Sequence, residues 1–333
     1  MNIIIPMAGM GKRMRPHTLT TPKPLLPIAG KPIVQRLVED IAAVCNETID
    51  EVAFIIGDFG HDVELELIKI AESIGAEGRI YYQEEALGTA HAVMCATPSL
   101  TGEVIVAFAD TLFKAEFDLD KTADGTIWVH KVANPSQFGV VKLDEQQHIT
   151  DFIEKPVEFV SDLAIIGIYY FKDGDNLLSE IQYLIDNDLK EKGEYQLTNA
   201  LENMKNKGLV FKPGEVEEWL DCGNKDATVL TNQRILEIKQ SEFNNSHVQG
   251  KNGCTIIEPC YIADDVSIEN SSIGPHVSIG KGSVISGSKI SNSIIQSNCK
   301  IQNTEFTNSM IGNHVTINGH GKELSIGDYS TLN

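Results

Sequence analysis

Isoleucine sets the period of the last third of the chain. Ile256, Ile262 and Ile268 stand six residues apart, and Ile273, Ile279 and Ile285 repeat the step. Ile290, Ile295, Ile301, Ile311 and Ile317 continue it in five- and six-residue steps with one step of ten, and Gly274, Gly280, Gly312 and Gly327 each follow an isoleucine. A hexapeptide repeat turns one branched apolar side chain per short strand toward a narrow interior. It therefore predicts a parallel β-helix of about four coils over roughly the last eighty residues. The polar stretch from Gln240 to Asn252 reads as the linker that precedes it.

Upstream the pattern alternates. Asn2 to Pro6 is a short β-branched run that suits a buried strand, and Pro32 with Ile33, Leu37, Ile41 and Val44 predicts an amphipathic helix over 32–45. Val52 to Ile56 reads as a strand, Asp62 to Ile74 as a helix and Arg79 to Gln83 as a strand. Such alternation predicts an α/β fold with a doubly wound, mostly parallel sheet. The expected division is an α/β domain over 1–239, a linker over 240–252 and the β-helix over 253–333.

Behind the first strand lies Met7-Ala8-Gly9-Met10-Gly11-Lys12-Arg13-Met14-Arg15, then Thr21-Pro22-Lys23-Pro24. Gly9 and Gly11 let the backbone curl close to an anion, and Lys12, Arg13, Arg15 and Lys23 supply charge, so the stretch reads as a polyphosphate site. Two commoner glycine motifs do not fit. A dinucleotide fingerprint wants a small residue at Met14 and an immediate helix, and a Walker loop wants Ser or Thr where Arg13 stands. A surface turn with solvated cations is the plainer alternative.

These residues carry a resemblance. Gly9-x-Gly11-x-Arg13, Pro16, Thr20 and Pro22-Lys23-Pro24 resemble the signature of the sugar-1-phosphate nucleotidylyltransferases, most closely the glucose-1-phosphate thymidylyltransferase type. The resemblance implies that Arg13 grips the β- and γ-phosphates of an NTP, that Ala8, Gly9 and Gly11 line the nucleotide, and that Lys23 positions the reacting phosphates. Sequences similar to the C-terminal repeat form left-handed helices.

In open sheets of this kind ligands sit beyond the carboxyl ends of the strands. Gln83 ends one such strand, ahead of Leu87-Gly88-Thr89-Ala90. Its amide can answer the N3–H and O4 of uracil or thymine, and Gly88 and Thr89 match the family's base-reading segment, although Glu84 stands where a proline is common. Asp110, at the end of Val104-Ile105-Val106-Ala107-Phe108-Ala109, and Asp221, in Trp219-Leu220-Asp221-Cys222-Gly223, match the family's metal aspartates. Ala109 and Cys222 replace a usual glycine and threonine beside them. Magnesium takes one or two carboxylates plus phosphates and water, so two distant aspartates suffice. Phe138-Gly139-Val140-Val141, Glu154-Lys155-Pro156 and Ile166-Gly167-Ile168 resemble the acceptor half. There Lys155 would hold the sugar phosphate, Glu154 the sugar hydroxyls, and Gly139 and Gly167 would border the ring. Glu194-Tyr195-Gln196-Leu197-Thr198 resembles a further sugar-side segment.

Charge and cysteine usage bound the rest. The 333 residues carry a formal net charge of −20, which opposes nucleic-acid and anionic-membrane partners and makes the N-terminal cation cluster a local feature. The six cysteines, at 45, 95, 222, 254, 260 and 299, form no Cys-x-x-Cys pair, which argues against a zinc site and a disulfide framework. The N-terminal apolar run is too short for a signal peptide or membrane span, so a cytoplasmic enzyme is expected. A homo-oligomer is expected as well.

The implied chemistry is nucleotidyl transfer from an NTP, dTTP first, to a sugar-1-phosphate, glucose-1-phosphate first. Alternatives are a UTP-dependent uridylyltransferase, a bifunctional enzyme with acyl transfer on His276, His314 or His320, and a non-catalytic regulatory scaffold of the same fold. Retention of Arg13, Lys23, Asp110, Lys155 and Asp221 together argues against the scaffold.

Overall fold

A computed structural model describes residues 1–45, 47–115, 119–248, 250, 252–319 and 321–333. The chain divides into two units, Met1–Gly9 with Leu37–Trp219, and Met10–Arg36 with Leu220–Asn333. The boundaries expected at 239/240 and 252/253 remain a proposal about linear segments, and Gln249 and Lys251 of the expected linker lie outside the described residues.

The first unit is built on one sheet. β1 (Asn2–Pro6) buries Ile3, Ile4 and Ile5 completely, as a strand covered on both faces must. α1 (Ile33–Val44) leads to β2 (Glu51–Ile56), which runs parallel to β1, and α2 (His61–Ser73) leads to β3 (Glu77–Tyr82), parallel to β2. After α3 (Thr89–Met94) comes β4 (Val104–Ala107), parallel to β1 on its other side. The expected strands and helices therefore stand within two residues of their predicted bounds.

Beyond β4 the pairing turns antiparallel, so the sheet is mixed. β5 is Gly125–Lys131, β6 Gly139–Leu143, β7 Ile149–Glu154 and β8 Leu163–Phe171. β8 lies antiparallel to β4, β5 and β6, and β7 antiparallel to β6, giving the order β7-β6-β8-β4-β1-β2-β3, with β5 branching from β8. The register of β8 against β5 shifts between Ile165 and Tyr169, a bulge around Gly167. α4 (Gly174–Asp186) and α5 (Leu197–Asn206) precede β9 (Phe211–Glu215), which runs parallel to β5. Ile4, Val93, Val106, Ile127, Leu177, Leu201 and Phe211 share one core.

The second unit holds the repeat. Strands of two or three residues from Thr255 to Leu332 form three sheets, and every pair within them is parallel, the arrangement of a left-handed β-helix. Ile256, Ile262, Ile268, Ile273, Ile279, Ile285, Ile290, Ile295, Ile301, Ile311 and Ile317 are all buried. The coils are shorter than three hexapeptides. Val277 pairs with Ser293 and Ser293 with Ser309, and the last step, Met310 to Ser325, takes only 15 residues. Two of the sheets accordingly carry five strands rather than the four coils expected.

Side-chain ladders tie coil to coil. Ser271 Oγ accepts from Ser288 N–H at 3.0 Å, and Ser293 Oγ from Ser309 N–H at 3.1 Å. The corners turn through left-handed residues, where asparagine is the commonest tolerated side chain: Asn270, Asn292, Asn298, Asn303 and Asn308 all have positive φ.

Residues 10–36 pack in this unit. His17 is buried, with Nε2 at 3.1 Å from Ser325 Oγ, and Thr20 Oγ1 donates to Asp328 Oδ2 at 2.8 Å. A hairpin of Pro27–Ile28 and Lys31–Pro32 turns at Ala29-Gly30, where Tyr261 packs over Gly30 and Ala29 N–H donates to Asn232 Oδ1 at 2.9 Å. Asn232, on α6 (Lys225–Ile238), also accepts from Ser278 Oγ at 2.7 Å. Loop, helix and β-helix thus share one buried polar junction. Among the described residues no helix is long and apolar enough to cross a membrane.

Candidate active site

Gly88, ahead of α3, sits at φ 116°, and a methyl on it would stand 2.5 Å from Tyr195 O and 2.7 Å from Tyr195 N. Only glycine accepts both demands. Ala90 N–H donates to Tyr195 O at 2.9 Å and Tyr195 N–H to Leu87 O at 2.8 Å. Thr89 Oγ1 accepts from Leu197 N–H at 2.9 Å and donates to Gln196 Oε1 at 3.2 Å. Two segments a hundred residues apart in sequence are one strap.

Gln83 follows β3, its N–H continuing the ladder to Ile56 O at 2.9 Å. Its side-chain Nε2 lies 3.2 Å from Gly88 O and 3.1 Å from His91 Nδ1. A backbone carbonyl can only accept, so the nitrogen end of the amide is assigned to Gly88, and His91 Nδ1 must then accept as well. Both amide hydrogens are engaged and Oε1 is left to meet a ligand. Burial lowers the His91 pKa from its ordinary value, against the pull of Glu85 in the other direction.

Glu154 ends β7 opposite Gly139. Its Oε1 is 3.1 Å from Lys155 Nζ, and its Oε2 accepts from Thr198 Oγ1 at 3.3 Å. Lys155 adopts φ 44°, an unusual conformation for a non-glycine residue, and Lys192 Nζ clamps the carbonyls of Glu154 and Lys155 at 3.4 and 3.1 Å. The Glu154 side chain is 11% exposed and that of Lys155 48%, so the carboxylate is enclosed while the ammonium stays reachable. Through residues 194–198 the base-side segment and the acceptor-side pair join one network.

Asp110 sits in the turn after β4. Phe108 N–H donates to Gly167 O at 2.9 Å and Thr111 Oγ1 to Ile166 O at 2.7 Å, so that turn is stitched to the bulge of β8. Ala8 and Gly9 close β1, Gly9 with open space where a side chain would stand.

In the second unit Gly11 has φ 55°, and a methyl there would meet Lys23 Cβ at 2.9 Å and Thr18 Cγ2 at 3.1 Å. Thr18 Oγ1 donates to Gly11 O at 2.8 Å. Lys23 is buried and Arg13 exposed. Asp221 Oδ1 accepts from Gly223 N–H at 2.9 Å, and Asp221 O from Thr231 Oγ1 at 2.8 Å. A methyl on Gly223 would stand 2.9 and 3.0 Å from the two Asp221 carboxylate oxygens and 3.3 Å from Arg13 Nη2. A side chain at 223 would therefore press on both the carboxylate and the guanidinium.

The carboxylates of Asp110 and Asp221 are the ligand type a hard divalent ion takes, with phosphate and water completing its shell; the Arg13 guanidinium can only meet anions. Among the described residues no group of three or more His, Cys, Asp or Glu converges, so any metal here would rely on such outside oxygens.

Two of the histidines weighed for acyl transfer are corner residues. His276 and His314 have φ 63° and 57° at the positions that Asn292 and Asn298 take one coil away. His276 Nε2 is 2.9 Å from Glu237 Oε1, and His314 stacks on Tyr329 with ring centroids 4.8 Å apart. His320 lies outside the described residues.

The sequence did not single out His91 or Lys192. A titratable residue at the opening of α3, two places after Thr89, was the available signal for His91; nothing local pointed to Lys192.

The family model for nucleotidyl transferases matches residues 2–238. The chain is 28% identical over 364 residues to the low-salt glycan biosynthesis nucleotidyltransferase Agl11 of Haloferax volcanii, covering 97% of each. It is also 28% identical over 364 residues to the glucose-1-phosphate thymidylyltransferase of Streptomyces antibioticus, covering 100% of this chain and 99% of that protein. With the bifunctional protein GlmU of Methanococcus maripaludis C7 it shares 31% identity over 240 residues, 71% of this chain but only 54% of the length of that relative. The crystal structure of a nucleoside-diphosphate-sugar pyrophosphorylase from Vibrio cholerae RC9 superposes with a TM-score of 0.60 at 22% identity, over 69% of this chain and 99% of that one, a likeness of fold. On a match that spans 2–238, the chain belongs to the nucleotidyl transferase family and is a nucleotidyltransferase.

Proposed function

We propose that this enzyme transfers the nucleotidyl group of dTTP to glucose-1-phosphate, giving a nucleotide sugar and pyrophosphate. The observation that carries the base is Gln83. With Nε2 held by Gly88 O and His91, its Oε1 is an acceptor suited to the N3–H of thymine or uracil and opposed to the N3 lone pair of cytosine. Uracil shares that edge, so UTP is the second reading.

In the step itself an oxygen of the sugar phosphate bonds to the α-phosphorus in line, the bond from that phosphorus to the bridging oxygen breaks, and pyrophosphate leaves. No general base is needed, because a phosphate monoester with a second pKa of about 6 arrives largely as the dianion. The protein's work is to align two anions that repel each other and to compensate charge. In this reading Arg13 and Lys23 take the triphosphate and Lys155 the sugar phosphate. Glu154 takes sugar hydroxyls, with Gly139 and Gly167 bordering the ring. Asp110 and Asp221 would hold magnesium, which when bound supplies charge neutralisation on phosphate oxygens. Assembly as a homo-oligomer and a cytoplasmic setting belong to the same proposal.

Incubation of the protein with magnesium, glucose-1-phosphate and each NTP in turn, read by pyrophosphate release, tests it. Release with dTTP, or with UTP, is the expected result. Silence with every NTP across a panel of sugar phosphates would overturn the reading.

A further inference from the structure

Base readers built on glutamine face an ambiguity: the amide is nearly symmetric in shape, and its two orientations present opposite hydrogen-bonding ends. Here two neighbours decide it. Gly88 O, an obligate acceptor, lies 3.2 Å from Gln83 Nε2, and His91 Nδ1 lies 3.1 Å from the same atom. Gly88 itself must stay glycine, at φ 116° against the Tyr195 backbone. His91 is therefore the one of the two whose chemistry a substitution can reverse.

We propose that His91 is a specificity-positioning residue: by accepting through Nδ1 it locks the Gln83 amide with Oε1 toward the base, and so selects a ring that carries N3–H. The inference rests on the reading of Gln83 as the base contact. His91 touches no substrate in this scheme and acts through Gln83 alone. A neutral ring is required, and burial of the side chain favours the neutral state; the Gln83 N–H facing Nδ1 then places the ring proton on Nε2. A donor at position 91 would set N–H against N–H. The amide would then turn, surrender the Gly88 bond and face the base with NH2, which matches the N3 lone pair of cytosine instead.

UTP and CTP make the cleanest probe, since they share ribose and triphosphate and differ only on that edge. The measurement is the ratio of kcat/KM for UTP to that for CTP, in the unmodified enzyme and in His91→Lys, His91→Leu and His91→Asn, with dissociation constants for UDP and CDP measured alongside so that an inactive variant still reports. His91→Lys is expected to lower the UTP/CTP ratio at least tenfold, carried by KM, with His91→Leu between. His91→Asn, whose Oδ1 can stand where Nδ1 stands, should restore the ratio to within about threefold, the tolerance of a conservative hydrogen-bond swap. An unchanged ratio in folded His91→Lys, or a collapse in His91→Asn equal to that in His91→Lys, would overturn the proposal. Silence of the unmodified enzyme with all NTPs, or a purine preference, would overturn the reading of Gln83 and the inference with it.

Discussion

Thr20 and Asp328, 308 residues apart, are joined by a 2.8 Å hydrogen bond between the loop that follows the glycine signature and the last coil of the β-helix. Three positions earlier His17 reaches Ser325, and Pro16 packs on Gly327. The cation-bearing loop is thus seated on the far end of the repeat.

If that seat orders the loop, Thr20→Val and Asp328→Asn should act on nucleotide binding more than on stability. The bond is exposed, so Thr20→Val is expected to cost about 1 kcal/mol or less in urea unfolding; Asp328 also accepts from Asn313 N–H at 2.8 Å and Asn313 Nδ2 at 3.2 Å, so Asp328→Asn should cost somewhat more. KM for the NTP should rise roughly three- to tenfold with kcat nearly unchanged, which assigns the loss to uniform binding. The double variant should be no worse than the poorer single one.

His17 makes stability depend on pH. Burial pushes its pKa down to about 4 from 6.5, with Asp328 pulling it up and Lys225 down. Between those values the unfolded chain binds the proton and the folded one does not, so stability falls as pH drops through 6.5 and the loss levels off near 4. The full contribution is up to roughly 3 kcal/mol. Urea midpoints measured from pH 7 to 4 should fall less steeply in His17→Gln, which lacks this proton.

Gly88→Ala should be damaging out of proportion to one methyl. The residue would need φ 116° and would place Cβ 2.5 Å from a backbone oxygen that cannot move away freely. A destabilisation of about 2–4 kcal/mol is expected from strain and repulsion together. Chemical denaturation gives the number, and nucleotidyl transfer should fall with it because Gln83 loses the carbonyl that holds it.

Asp110→Asn should separate chemistry from folding. The side chain is nearly isosteric and half-buried, so the melting temperature should shift by no more than a few degrees, while pyrophosphate release drops on the order of a hundredfold or more. Full activity in this variant would remove Asp110 from the site.

The repeat was legible because each coil needs only local information: an isoleucine pointing inward, then a small or left-handed residue at the corner. Coil length was less so, since steps of five and six are both satisfied by the same interior, and the shorter ones add a strand. The parallel strands β1 to β4 followed from alternation, whereas the antiparallel pairing of β8 and its bulge around Gly167 have no periodic signature. Individual site residues could be named from motifs. Their joining could not: that Thr198 reaches Glu154, or that Thr89 reaches Gln196, is tertiary and leaves no trace in spacing.

The placement of residues 10–36 with 220–333 has a consequence for synthesis. A ribosome releases Thr20 308 residues before Asp328. The loop must wait, unseated, until the coil carrying Asp328 is made, while the strands between Leu37 and Trp219 can already condense around their own core. On the proposed role of Arg13 and Lys23, triphosphate affinity would arrive only when the coil carrying Ser325 and Asp328 closes under His17 and Thr20, so that a chain cut before that coil would be a folded scaffold that does not capture nucleotide.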